Sequence, residues 1–194
     1  GFITKEYIAA IGDQESYINT GIKVNKKTKL EISYNYETVA GGRNIVAQFS
    51  QNNGNYTLFA FSGYDVWLGN NVSEYHVSLE KINNEKVDAV INYEIGNSYV
   101  IQNGVTTFTN NGVTAYGVDN ENLNPILLFG LNYYGQVSCS TGTVRIYEAK
   151  FTQDDVVVKH FKPVQRISDG ELGMYDIINN VFYTNDGKGT FGSN

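Results

Sequence analysis

Trp67 is the only tryptophan of the chain, and it follows Tyr64 and Asp65 by three and two residues. A flat ring beside a carboxylate suits a sugar, because a pyranose offers an apolar C–H face for stacking and a rim of hydroxyls for hydrogen bonds. Tyr133 and Tyr134, expected in a loop that follows a central strand, form a second candidate platform, and Tyr75 and His76, with Tyr116, are expected to contribute. The expected ligand-binding residues are therefore Tyr64, Asp65, Trp67, Tyr75, His76, Tyr116, Tyr133 and Tyr134. Asp119 and Glu121, with Asn120 and Asn122, form the densest cluster of side-chain oxygen ligands expected in a loop. They are the place where a calcium ion would bind if one does, although the spacing has none of the regularity of an EF-hand loop.

Catalytic patterns are sparse. His76 and His160 are the only histidines, and neither neighbours a serine or cysteine in a nucleophile elbow. Cys139 lies in a Ser/Gly/Thr-rich stretch with no histidine near it, and a lone cysteine makes no intrachain disulfide. The glycines of 187–192 spell a dinucleotide-binding pattern, but no helix follows to hold a pyrophosphate. Asn55 and Asn71 stand in N-glycosylation sequons that arise readily in so asparagine-rich a chain.

Fourteen Lys and Arg against 20 Asp and Glu give a net charge of −6, the wrong sign for affinity built on neutralising phosphates. Nucleic acid is excluded as the expected partner. The longest apolar run, 126–131, falls far short of the ~18 residues of a membrane helix, and no charged-then-apolar leader opens the chain at Gly1. No membrane insertion is expected. With 41% hydrophobic and 13% aromatic residues the chain has enough apolar surface to fold around a core of its own, and no disulfide framework is needed.

The elements that would carry these residues are strands. Leu30, Ile32, Tyr34 and Tyr36 alternate with Lys29, Glu31, Ser33 and Asn35, and the same period of two recurs around 45–49, 56–61 and 87–93. Asn53-Gly54, Asn103-Gly104 and Asn111-Gly112 fit hairpin turns that need positive φ. The segment 73–86 has some helical spacing but poor helix formers, and it reads as strand and loop. Within 64–68, Trp67 shares the polar phase of Asp65, opposite Val66 and Leu68. The expected fold is all-β: a two-sheet antiparallel sandwich forming one domain over 1–194, without internal repeats or linker-like tracts.

Two stretches carry a resemblance. Near the start stand Tyr17, Ile18, Asn19, Thr20, Gly21 and Ile22. Near the end, Phe161, Lys162, Pro163 and Val164 lead to Asp169, Gly170, Glu171, Leu172, Gly173, Met174, Tyr175 and Asp176, then to Phe182, Tyr183 and Gly187 through Phe191. Together they resemble the concanavalin A-like, laminin G-like jelly rolls of bacterial surface proteins and phage tail, receptor-binding proteins. The resemblance implies that the two chain ends lie side by side, that 126–130 and 144–150 are central strands, and that the work is recognition, often of glycans, rather than turnover. It leaves room for calcium, which some members bind; otherwise no cofactor is expected. Enzymatic relatives carry Glu-x-Asp-x-x-Glu on one strand, a run this chain lacks, so glycoside hydrolysis would need two of Glu31, Glu80, Glu94, Glu148 and Glu171 brought together from different strands.

The expectation is thus a non-catalytic, extracellular module on a bacterial surface or virion. It would be part of a larger protein or oligomer and bind a glycan or host-surface receptor. The alternatives are a protein-assembly module and a glycoside hydrolase on the same fold.

Overall fold

A computed structural model describes residues 1–12, 14–37, 45–52, 55–70, 74–94, 96–110, 124–133, 136–139 and 142–194, with 48–52, 55 and 108–110 described by backbone alone. Tyr116, Asp119, Glu121 and Tyr134, and the Asn53-Gly54 and Asn111-Gly112 turns, lie outside the described residues. The described residues hold strands and no helix. In chain order the strands are β1 (Phe2–Thr4), β2 (Ile8–Ala10), β3 (Ile18–Asn19), β4 (Lys27–Tyr36), β5 (Val46–Asn52), β6 (Asn55–Phe61), β7 (Asp65–Asn70), β8 (Glu74–Ser78), β9 (Val87–Glu94) and β10 (Ser98–Gln102). There follow β11 (Val105–Asn110), β12 (Leu127–Leu128), β13 (Gly130–Tyr133), β14 (Gln136–Cys139), β15 (Val144–Gln153), β16 (Val156–Arg166), β17 (Leu172–Asp176), β18 (Val181–Tyr183) and β19 (Phe191–Ser193).

They form two sheets. The larger runs β11-β10-β9-β4-β15-β16-β17-β18, with β1 on β16, β2 on β15 and β19 on β2; the smaller runs β14-β13-β5-β6-β7-β8, with β12 and β3 beside β5. Pairing is antiparallel apart from β13 on β5. The chain ends are neighbours: Gly192 pairs with Ala9 in the larger sheet, and Phe2 with Arg166. Asn103 (φ 48°) and Gly104 (φ 78°) both take the left-handed conformation, which closes the β10–β11 hairpin with a two-residue turn.

Alternation decides which side chains fill the space between the sheets. Leu30, Ile32, Tyr34 and Tyr36 of β4 and Val87, Ala89, Ile91 and Tyr93 of β9 are buried, and they meet Phe59 and Phe61 of β6, Val66 and Leu68 of β7 and Val77 of β8 in one apolar cluster. The hydrophobic effect, at roughly 25 cal/mol per Å² of apolar surface removed from water, holds the layers together.

One expectation from the sequence needs correction. The run 126–130 is not one central strand: Phe129 sits at φ 65° and divides it into β12, between β3 and β5, and β13, whereas β15 is central to the larger sheet. The even alternation of 144–150 is broken by a bulge between Ile146 and Glu148, so that Tyr34 pairs with Ile146 but Ser33 with Glu148.

Candidate functional site

The outer face of β6, β7 and β8 is set by the same alternation that fills the core. Val66 and Leu68 point inward and are fully buried, so Asp65, Trp67 and Gly69 face out; on β8, Val77 is inward and Glu74, His76 and Ser78 are outward. Register places Trp67 opposite His76, Asp65 opposite Ser78 and Gly69 opposite Glu74, with Ala60 of β6 on Trp67's other side.

The contacts are specific. The indole and imidazole lie face to face, with ring centroids 3.9 Å apart and planes 6° from parallel. His76 donates from Nε2 to Asp65 Oδ1 at 2.8 Å, and Ser78 Oγ donates to the same oxygen at 3.2 Å. The imidazole is thereby fixed from its edge while it supports the indole from behind. Trp67 nevertheless keeps 37% of its surface exposed. Because the imidazole covers one indole face and Ala60 is the neighbour on the other side, the second face looks over a methyl group. Farther along, Tyr56 donates its hydroxyl to Glu74 Oε2 at 2.6 Å, and this bond, more than burial, pushes the phenol up to about 12.

The turn carrying Asp65 is anchored in the core. Tyr34, fully buried, donates its hydroxyl to the Gly63 carbonyl at 2.7 Å, and burial holds that phenol far above its ordinary value. Gly63 has φ 101°, and a Cβ there would stand 2.8 Å from the Tyr36 ring. Ser62 closes the turn: its N–H donates to the Asp65 carbonyl, and its hydroxyl accepts from the Asp65 N–H.

The sequence-predicted residues divide accordingly. Asp65, Trp67 and His76 are brought together. Tyr75 lies opposite Leu68 on the inner phase of β8 and packs against the core, because neighbouring strand residues face opposite sides. Tyr64 also packs against the core, 6.4 Å from the Tyr36 ring and under the Lys81 ammonium. Tyr133 is exposed on β13, three strands from β7 and so about 14 Å away. Ser78, Glu74 and Tyr56 were not singled out by the sequence. Extending the alternation through a 65–78 hairpin would have found the first two.

No protein-family model and no curated protein matches the chain. Among solved structures it is similar to the CBM40 module of the Ruminococcus gnavus IT-sialidase bound to α2,3-sialyllactose, at 14% identity and TM-score 0.54, covering 75% of this chain and 90% of that one. It is similar also to the heptameric SAP-like pentraxin of Limulus polyphemus, at 11% identity and TM-score 0.52, covering 76% of each chain. The fold is a jelly roll. Weaker likenesses run to a Caenorhabditis elegans galectin, LEC-6 (TM-score 0.38, 10% identity, 75% of this chain and 96% of that one), and to a family 7 alginate lyase, A1-II′ (TM-score 0.41, 16% identity, 69% and 64%).

The outer face of the larger sheet of this jelly roll has a different character. Glu31, Ser33, Asp88, Val90, Glu148 and Lys150 line a depression of about 310 Å³ across β9, β4 and β15. Its charges pair among themselves. Lys150 meets Glu31 at 3.1 Å, Ser33 donates to Asp88, and Glu148 accepts from both His160 and Lys162 at 2.5 Å. Partial burial works to raise the Glu148 carboxyl, but Lys162 and His160 outweigh it and hold the group below its ordinary range. A glycosidase acid must instead be kept protonated, which makes Glu148 unsuited to that role. Among the described residues no group of three or more His, Cys, Asp or Glu side chains is arranged to hold a metal ion.

The 187–192 glycine pattern also finds a structural use. Gly189 donates its N–H to the Glu15 carbonyl at 2.8 Å, packing the loop on the N-terminal segment, and β19 follows it rather than a helix.

Proposed function

We propose that the chain is a non-catalytic recognition module that holds a glycan against the outer face of β6, β7 and β8. The observation that carries this reading is the exposed Trp67 ring, backed by an imidazole that Asp65 fixes in place. A pyranose stacks its C–H face on the free side of the indole, while Asp65, Glu74, His76 and Tyr56 meet its hydroxyls. The likeness in fold to a carbohydrate-binding module seen with sialyllactose supports the same reading. In a larger phage-tail or bacterial surface protein, or in an oligomer, many such weak sites acting together would supply avidity, and the place of action is extracellular.

A glycan array probed with the wild type and with Trp67→Ala tests the assignment. Binding to at least one glycan class that the substitution abolishes is expected; no binding to any glycan, or binding indifferent to Trp67, overturns it.

A second reading, a protein-assembly module, draws on Tyr133 and on Ile177, Ile178 and Val181 at the β17–β18 edge, all exposed. Sedimentation measurements decide it, since a symmetric oligomer dissolved by Tyr133→Ser or Val181→Lys would favour it over sugar binding.

A further inference from the structure

We infer that the platform selects uncharged or cationic sugars and discriminates against acidic ones such as sialic and uronic acids; this rests on the glycan-binding reading above. Two carboxylates bracket the indole. Asp65 stands two residues before Trp67 on β7, and Glu74 lies opposite Gly69, two residues after it. Residues two apart on a strand are separated by about 7 Å and neighbouring strands by about 5 Å, so Asp65 stands about 7 Å from Trp67 along β7 and Glu74 about 8.5 Å away, one strand across on β8, and a sugar stacked on Trp67 has a negative group toward each end of the strand. The described outward side chains of β6, β7 and β8 include no arginine or lysine, the residues that take carboxylated ligands through charge-assisted bonds.

With the His76 imidazole uncharged, the hydrogen bonds already made leave that negative field in place. Glu74 is met by a neutral phenol, and the rise of the Tyr56 pKa to about 12 is the response of a neighbouring group to the carboxylate. Asp65 keeps its serine and histidine donors on one oxygen, Oδ1. For an anionic sugar over the indole, Asp65 at about 7 Å lowers affinity about threefold in bulk water, Glu74 at about 8.5 Å about twofold, and the two together about sixfold, less as salt is added. Hydroxyl and ammonium groups meet the same oxygens favourably, as hydrogen-bond donors.

Matched pairs of probes isolate charge from shape: lactose with α2,3-sialyllactose, methyl-esterified with free polygalacturonate, and chitosan oligomers with their N-acetylated forms. Titrations at low and at high salt are expected to favour the neutral or cationic member by about sixfold at low salt, with the preference shrinking as salt rises. Glu74→Gln, which leaves an acceptor for Tyr56, is expected to narrow the gap about twofold. Acidic members binding as well as neutral ones, through a Trp67-dependent site, would overturn the selectivity alone. An unchanged ratio in Glu74→Gln would do the same. Failure of every pair to bind would overturn the platform reading and this inference together.

Discussion

The two outer faces of the sandwich are built by the same alternation and end with different chemistry. On β9, β4 and β15 most outward charges meet an opposite charge: Glu31 with Lys150, Glu148 with Lys162, Lys27 with Asp155 and Glu94. Such exposed pairs are each worth a fraction of a kcal/mol, and they leave the face as a solvated ladder closed upon itself. On β6, β7 and β8 the outward residues include a ring stack, two carboxylates, Tyr56, Leu58, Ala60 and Ser78, and the largest of them, Trp67, is set on an anchored support and left partly bare. A cavity alone therefore does not mark the site. The larger sheet has a depression of about 310 Å³, yet its polar groups are engaged with one another, while the smaller sheet presents a rigid apolar plane with hydrogen-bonding groups around it.

The largest effect expected is on the turn that couples the core to the platform. Gly63→Ala must fit a Cβ 2.8 Å from the Tyr36 ring at φ 101°, and chemical denaturation should show a loss of about 2–4 kcal/mol. A loss under 0.5 kcal/mol would mean that the turn relaxes freely and does not fix Asp65. Next comes Trp67→Ala, for which calorimetry should show glycan affinity reduced roughly 10- to 30-fold, from about 1.5–2 kcal/mol of lost stacking, with stability changed by about 1 kcal/mol or less. Comparable loss of folding stability would reassign Trp67 to packing.

Tyr34→Phe strips the Gly63 carbonyl of its buried donor and should lower stability by about 1–2 kcal/mol in urea titrations. On the charged face, Glu148→Gln should leave glycan binding unaltered and change stability at neutral pH by under about 1 kcal/mol. Its signature is in acid. Because Glu148 ionises more readily when folded, its contribution is present above the unfolded carboxylate pKa and fades as pH falls through the lower folded value. The variant should lose less stability than the wild type across that range, and identical acid limbs would show that the Lys162 and His160 contacts carry no weight.

Much of this was legible in the sequence, for a definable reason. Period-two alternation is local, so the inward phase of β4 and β9 and the outward phase of Trp67 and Asp65 could be read directly. What escaped depends on pairing or on breaks in the period. Tyr75 was grouped with His76 because both are rings, although adjacent strand positions point to opposite faces. Tyr64 precedes the strand and turns toward the core under tertiary contacts with Tyr36 and Lys81. The bulge at Tyr147 and the left-handed Phe129 carry no glycine or asparagine to announce them. The stacking of Trp67 on His76 needed the register across a hairpin, which phase alone does not fix.

The single tryptophan makes the central claim directly measurable, since all indole emission of this chain comes from Trp67. Titrating the protein with an uncharged oligosaccharide that binds it on an array should shift or quench that emission saturably, with the same midpoint as calorimetry, and the change should persist in Glu148→Gln. Saturable heat with silent indole emission, or binding lost in Glu148→Gln and kept in Trp67→Ala, would place the ligand on the other face and contradict the account.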